Sequence, residues 1–166
     1  MPIAVYRIDE RLLHGQVVVG WGRRLGIRFY VVVDDRIART AWERDLYGSA
    51  LPAGVESFFL TVEDAIGQLP ELEGRGDVGM ALTAGTAKMR RLGEAGLLAG
   101  REVNLGGLHA TEGRERLLDY LFVSRDELQD IRALGDLAGS VSARDLPGSP
   151  RISVRRLLKT VERARP

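Results

Sequence analysis

The sequence predicts an α/β fold: a single domain over residues 1–166, built on an open, mostly parallel, twisted β-sheet with helices on both faces. Three observations carry this expectation. Short β-rich runs alternate with helical patterns along most of the chain, the order that βαβ units around a parallel sheet require. Phe29 to Val33 is a continuous apolar run, as a strand covered on both faces demands. In 166 residues, 45% apolar with 28% charged side chains is the balance of one globular domain with a real core.

Ile3 to Ile8 reads as the first strand, and the polar turn from Asp9 to Gly15 leads to a helix from about Gln16 to Leu25. The second unit is the strand Phe29 to Val33, stopping at Asp34-Asp35, and a helix from about Ile37 to Tyr47. Pro52 and Gly54 break the chain before a strand from Val55 to Leu60. Thr61 then reads as an N-cap, with Asp64 in a capping-box-like position, for a short helix ending before Pro70. Gly74 to Asp77 is a loop, Val78 to Leu82 a strand, and Thr86 to Ala95 a helix with Gly96 at its end. Glu102 to Leu105 is a short strand running into Gly106-Gly107, and Tyr120 to Val123 another, followed by Ser124 as N-cap of a helix from Arg125 to about Leu134. Val141 to Leu146 reads as a last strand. The Pro/Gly cluster from Pro147 to Pro150 is the one linker-like stretch, and residues 151–166 form a C-terminal segment with a helix from Ser153 to Arg163.

Composition excludes several functions. The formal charge of +1 comes from 24 basic and 23 acidic groups without a block of like charge, which disfavours nucleic acid as a partner. There is no cysteine, so thiolate chemistry and Cys-based zinc sites are excluded, and the two histidines, His14 and His109, lie far apart in the chain. No metal site is predicted. Asp34 and Asp35, just before a helix, read as N-terminal caps rather than ligands. Trp21 and Trp42 read as packing residues rather than sugar platforms. The start of the chain has no signal-peptide pattern, and no apolar run approaches the roughly 18 residues of a membrane span. The expectation is a cytoplasmic protein with no direct membrane insertion.

In an open α/β sheet, ligands bind beyond the C-terminal ends of the strands at a switch in strand order. The loop after the first strand is such a place, and it gathers Asp9, Arg11, His14 and Gly15 ahead of a helix start. A neutral imidazole offers an in-plane lone pair that attacks phosphorus, and the phosphoramidate formed keeps a high transfer potential. Arg11 is suited to the equatorial oxygens, the Gly15-Gln16 backbone to further positive potential, and Gly15, without a Cβ, to close approach of the phosphoryl group. Asp9 is suited to orient either Arg11 or the second imidazole nitrogen, and the residues leave both roles open. Each residue also has a structural reading: a solvated loop histidine, a surface ion-pair arginine, a turn aspartate.

The run from Arg7 to Val17, R-I-D-E-R-L-L-H-G-Q-V, resembles the active-site segment R-I-D-D/E-R-L-I/L-H-G-Q-V of the IIB component of the mannose/fructose/sorbose family of the bacterial phosphoenolpyruvate:sugar phosphotransferase system. The resemblance continues through Trp21, Val31 to Val33 with Asp35, Pro52 to Val55, Glu94 to Gly96, and Val103 to Gly107. It implies a protein-Npi-phosphohistidine:sugar phosphotransferase in which His14 carries the phosphoryl group on Nδ1, Arg11 stabilises it and Asp9 is its polar neighbour. It further implies a IIA phosphohistidine protein or domain as donor, IIC and IID membrane permease subunits that hold the sugar substrate, peripheral association with that permease, and no cofactor.

Departures from the pattern lie in two loops. Where the family commonly has Asn-Pro, this chain has Thr83-Ala84-Gly85-Thr86, and Thr83 and Thr86 are taken as candidate phosphate-binding groups beside Gly15 and Gln16. After Gly106-Gly107 the chain has Leu108-His109-Ala110 and then Gly113-Arg114-Glu115, which keeps a basic position as Arg114, also a phosphate-binding candidate. His109 reads as a solvated loop residue. His14 is expected on a shallow face made positive by Arg11, Arg114 and His109. Two other readings compete: a regulatory or orphan phosphohistidine protein that no longer delivers phosphate to a sugar, and a nucleotide- or anion-binding module. Against the module, no GxGxxG and no GxxxxGK[ST] follows any strand.

Overall fold

Strand β1, Ile3–Asp9, lies at the centre of a seven-stranded sheet. In the computed structural model, which describes residues 2–164, β2 (Phe29–Val33), β3 (Glu56–Leu60) and β4 (Gly79–Thr83) lie on one side of it. On the other side are β5 (Glu102–Gly107), β8 (Ser140–Ala143) and β9 (Ile152–Ser153), giving the order β3-β2-β4-β1-β5-β8-β9. Every pairing is parallel except β8 with β9. The chain builds β2 to β4 on one flank, then crosses to β5 on the other, so the switch in strand order opens at the C-terminal end of β1.

The period-two alternation of β-strands divides the core into two layers. Tyr6, Ile8, Phe29, Val31 and Val33 face α4 (Val62–Leu72), α5 (Thr86–Glu94) and α6 (Arg125–Leu137), through Leu69, Met89, Leu92, Ile131 and Leu134. Val5, Tyr30, Val32, Met80 and Leu82 face the other way, onto Leu12, Leu13, Val17, Val18 and Trp21 of the segment after β1 and onto Ile37 of α2 (Asp35–Arg39). The expected α/β architecture is the one found. Among the described residues, no helix is long and apolar enough to cross a membrane.

Several elements differ from expectation. The helix after the first loop opens as a π-helical turn, Gln16–Trp21, before α1, Gly22–Leu25. The helix expected from Ile37 to Tyr47 is two helices, α2 and α3 (Ala41–Ser49), because Thr40 is extended (φ −114°, ψ 99°) and its hydroxyl bonds back to the Arg36 carbonyl at 2.7 Å. Pro70 does not end α4; it lies in the last turn, where the Glu73 N–H still reaches the Leu69 carbonyl at 2.8 Å and Leu69 and Leu72 are buried. Residues 115–118 form an unpredicted strand, β6 (Glu115–Leu118), pairing antiparallel with β7 (Leu121–Val123) in a separate ribbon.

β8 ends at Ala143 rather than Leu146, since the carbonyls of Arg144 and Asp145 turn inward to accept from Arg7. The C-terminal segment contributes the edge strand β9 as well as α7, Val154–Ala164, and its residues 165 and 166 lie outside the described residues.

Candidate active site

The loop after β1 is built on Asp9. Its Oδ1 accepts the Arg11 N–H (3.1 Å) and its carbonyl accepts the Leu12 N–H (3.0 Å), a tight aspartate turn. Leu12 is the one non-glycine residue with positive φ among those described, at 54°. A left-handed leucine costs on the order of 1–2 kcal/mol. Burial of Leu12 beside Leu13 and Val17 offsets that cost. The turn folds the chain back so that His14 Nε2 lies 3.2 Å from Asp9 Oδ2. The Asp9 side chain is fully buried, whereas that of His14 keeps 16% of its surface in solvent.

Beneath Asp9 lies Arg7, also fully buried. Its Nη2 donates to Asp9 Oδ2 (3.0 Å) and the Asp145 carbonyl (2.9 Å); its Nη1 donates to the Arg144 carbonyl (2.9 Å) and to Asn104 Oδ1. Nε alone has no acceptor. The guanidinium lies 5.1 Å from the Trp21 ring centroid, within cation–π range, and Trp21 Nε1 donates to the Asp145 carbonyl at 2.8 Å. A Cβ on Gly106 would overlap this guanidinium, so glycine there makes room for the charge pair. Arg7 as the support of Asp9 was not legible as a role, although two signals pointed to it: Arg7 and Asp9 share a strand face at i, i+2, and Gly106-Gly107 occupies the neighbouring strand.

The electrostatics select a tautomer. Burial pushes the Asp9 carboxyl up, but the hydrogen bond from His14, the Arg7 charge and the Arg11 N–H outweigh it and hold the group below the usual carboxylate range. Burial lowers Arg7 from the ordinary arginine value, against the opposing pull of Asp9. An ionised carboxylate only accepts hydrogen bonds, so the His14 nitrogen facing it, Nε2, carries the proton. Nδ1 is left with the lone pair. The Asp9 carboxylate thus contacts both groups, with Oδ2 3.2 Å from His14 Nε2 and Oδ1 3.6 Å from Arg11 Nε.

Arg11 keeps 41% of its side chain exposed, and its Nη2 donates to Gln16 Oε1 at 2.8 Å. Gln16 thus meets the site through its side chain, which holds Arg11. Gly15 is exposed, and a Cβ there would meet nothing within 4 Å, so the space around it is open.

The other candidates are placed differently. Thr83 is buried and its hydroxyl donates to the Gly85 carbonyl at 2.8 Å; Thr86 is buried and donates to Asp130 Oδ2 at 2.7 Å. Both hydroxyl protons are engaged away from His14. Arg114 joins the first loop through Glu10, but its guanidinium lies between the Glu10 and Glu127 carboxylates with 12% of the side chain exposed. The positive character expected of this face rests more on Arg11 than on Arg114.

Comparison with known proteins assigns the chain to a family. The family model described as "PTS system sorbose subfamily IIB component" matches residues 3–165. The chain is 31% identical over 147 residues to the N-acetylgalactosamine-specific phosphotransferase enzyme IIB component 1 of Escherichia coli K12, covering 88% of this chain and 92% of that one. It is 24% identical over 163 residues to the mannose-specific EIIAB component of the same organism, covering 98% of this chain but about half, 50%, of that longer protein. The crystal structure of the IIB domain of the sorbose permease from Klebsiella pneumoniae superposes with a TM-score of 0.86 at 21% identity, covering 96% of this chain and 98% of that one, which shows the shared fold. The chain belongs to the sorbose subfamily of IIB components of sugar phosphotransferase systems.

Proposed function

We propose that His14 is the phosphoryl carrier of this IIB component. It takes the group on Nδ1 from a phosphohistidine on a IIA protein or domain and passes it to a sugar held by IIC and IID subunits of a membrane permease. The single observation that carries this reading is the 3.2 Å approach of Asp9 Oδ2 to His14 Nε2, which fixes the proton on Nε2 and leaves the Nδ1 lone pair as nucleophile. Relatedness to a protein named as a mannose-specific EIIAB component, of which this chain covers 50%, supports the IIA partnership.

In the first step Nδ1 attacks phosphorus while the bond to the donor imidazole breaks and its electron pair returns to the donor. The His14 ring gains positive character, which the Asp9 carboxylate 3.2 Å away stabilises through Nε2–H. Arg11, exposed and steadied by Gln16, reaches the phosphoryl oxygens. In the second step a sugar hydroxyl attacks phosphorus, the P–N bond breaks, its electron pair returns to Nδ1, and the hydroxyl proton leaves to a base or solvent. Thr83 and Thr86 have no part in this scheme.

The test is incubation with phosphoenolpyruvate, the general phosphotransferase proteins and a IIA of the family, followed by intact mass. One phosphoryl group, lost in mild acid and kept in base, is expected on the wild type and none on His14→Ala. Acid-labile uptake persisting in His14→Ala would refute the assignment.

A further inference from the structure

His109, the second histidine, is held in a way that mirrors His14. Glu10, the residue after Asp9, places Oε2 2.8 Å from His109 Nδ1 and accepts the His109 backbone N–H at 2.9 Å. Burial pushes the Glu10 carboxyl up, but hydrogen bonds from His109 and Arg114 outweigh it and keep the group below the usual range. An ionised Glu10 only accepts, so Nδ1 of His109 carries a proton and Nε2 is the outward nitrogen, on a side chain 51% exposed.

The two rings sit at adjoining strand ends. Asp9 is the register partner of Gly107, the Glu10 N–H donates to the Gly107 carbonyl at 3.0 Å, and His109 follows two residues later. The His109 loop is tied down by Arg114, which donates to the His109 carbonyl (2.8 Å), to Glu10 Oε1 and to Glu127 Oε2 (2.8 Å), and Glu127 closes the capping box of α6. Charged groups bonded into this cluster are Glu10 from the turn after β1, Arg114 from its own loop and Glu127 from α6 behind Arg114.

We infer that His109 is a specificity-determining contact for the phosphorylated IIA partner, with its outward Nε2 binding the phosphoryl-bearing face of that partner only when the ring is protonated. With Nδ1–H committed to Glu10, a neutral ring presents a bare lone pair, which repels phosphoryl oxygens. A protonated ring presents a charged N–H donor, which attracts them. Docking of phospho-IIA is therefore tighter with the ring doubly protonated and weaker with it neutral. This rests on the reading of His14 as the carrier.

The experiment is phosphoryl transfer from phospho-IIA to full-length wild type, His109→Gln and His109→Arg, with KM and kcat measured from acid to basic pH, and His14→Ala alongside. KM of the wild type is expected to rise about fivefold from the acid to the basic limit, equivalent to about 1 kcal/mol. His109→Gln should hold the high KM and His109→Arg the low KM at every pH, with kcat unchanged, a pattern that loss of loop structure alone does not produce. A wild-type KM that follows the same pH course as His109→Gln would overturn the inference while leaving His14 in place. Transfer to His14→Ala would overturn the carrier reading and this inference with it.

Discussion

Asp9→Asn is expected to slow phosphoryl uptake by roughly a hundredfold to ten-thousandfold, the range seen when a catalytic histidine loses the carboxylate that sets its tautomer. Asp9 Oδ1 receives the Arg11 N–H, and Oδ2 receives both Arg7 Nη2 and the ring of His14. An asparagine must put its NH₂ on one side or the other. On the Arg11 side it meets a donor head-on; on the His14 side it donates to Nε2, drives the ring proton to Nδ1 and blocks the nucleophile. Single-turnover uptake from phospho-IIA reads the loss, and circular dichroism checks that the fold persists. A rate within threefold or so of wild type would mean that Asp9 does not set the tautomer.

Arg7→Met is expected to cost about 3–5 kcal/mol of stability, because it leaves the buried Asp9 carboxylate without its buried ion-pair partner. The pH dependence distinguishes this from a simple packing defect. In the wild type the Asp9 pKa is depressed in the folded state, so its contribution is complete above the ordinary aspartate value of about 3.9 and is lost as pH falls through the lower native value. Removing the Arg7 charge raises the native pKa and shrinks that contribution. The stability gap between variant and wild type should be widest above about pH 4 and should narrow below it, as read by urea unfolding at several pH values. A gap that is constant with pH would assign the loss to packing against Trp21.

Much of the architecture was legible because it depends on local patterns. The apolar run Phe29–Val33 announced a strand covered on both faces, Ser124 and Thr61 announced helix starts, and each does what its pattern implies. What misled were competing local effects. Thr40 bends back onto Arg36 and divides one expected helix into two, and Pro70 is tolerated in a last turn whose neighbours are buried. The ribbon of β6 and β7 depends on a pairing between residues 115–118 and 121–123, whose sequence Glu115-Arg116-Leu117-Leu118 has no alternation to mark it.

The candidate site divides along the same line. Asp9, Arg11 and His14 lie within one turn and were readable together. Arg7 is equally close in sequence, but its role comes from Asn104, Arg144 and Asp145, partners about a hundred or more residues away that no local pattern reveals. Arg114 looked like a free cation because its neutralising groups, Glu10 and Glu127, come from two other elements. Leu12 carries the strain of the turn with a side chain that gives no hint of positive φ. Thr83 and Thr86 are buried, and their hydroxyls donate to the Gly85 carbonyl and to Asp130, partners that their spacing in the sequence does not reveal.

The central claim is that Asp9 holds Nε2 and so reserves Nδ1 of His14 for phosphorus. The most direct measurement is nitrogen-15 and phosphorus-31 NMR of the protein labelled at histidine and phosphorylated through IIA. The account predicts phosphorus coupled to Nδ1 of His14, with Nε2 protonated and its proton shifted by the hydrogen bond to Asp9. Phosphorus coupled to Nε2 of His14, or to either nitrogen of His109, would contradict it.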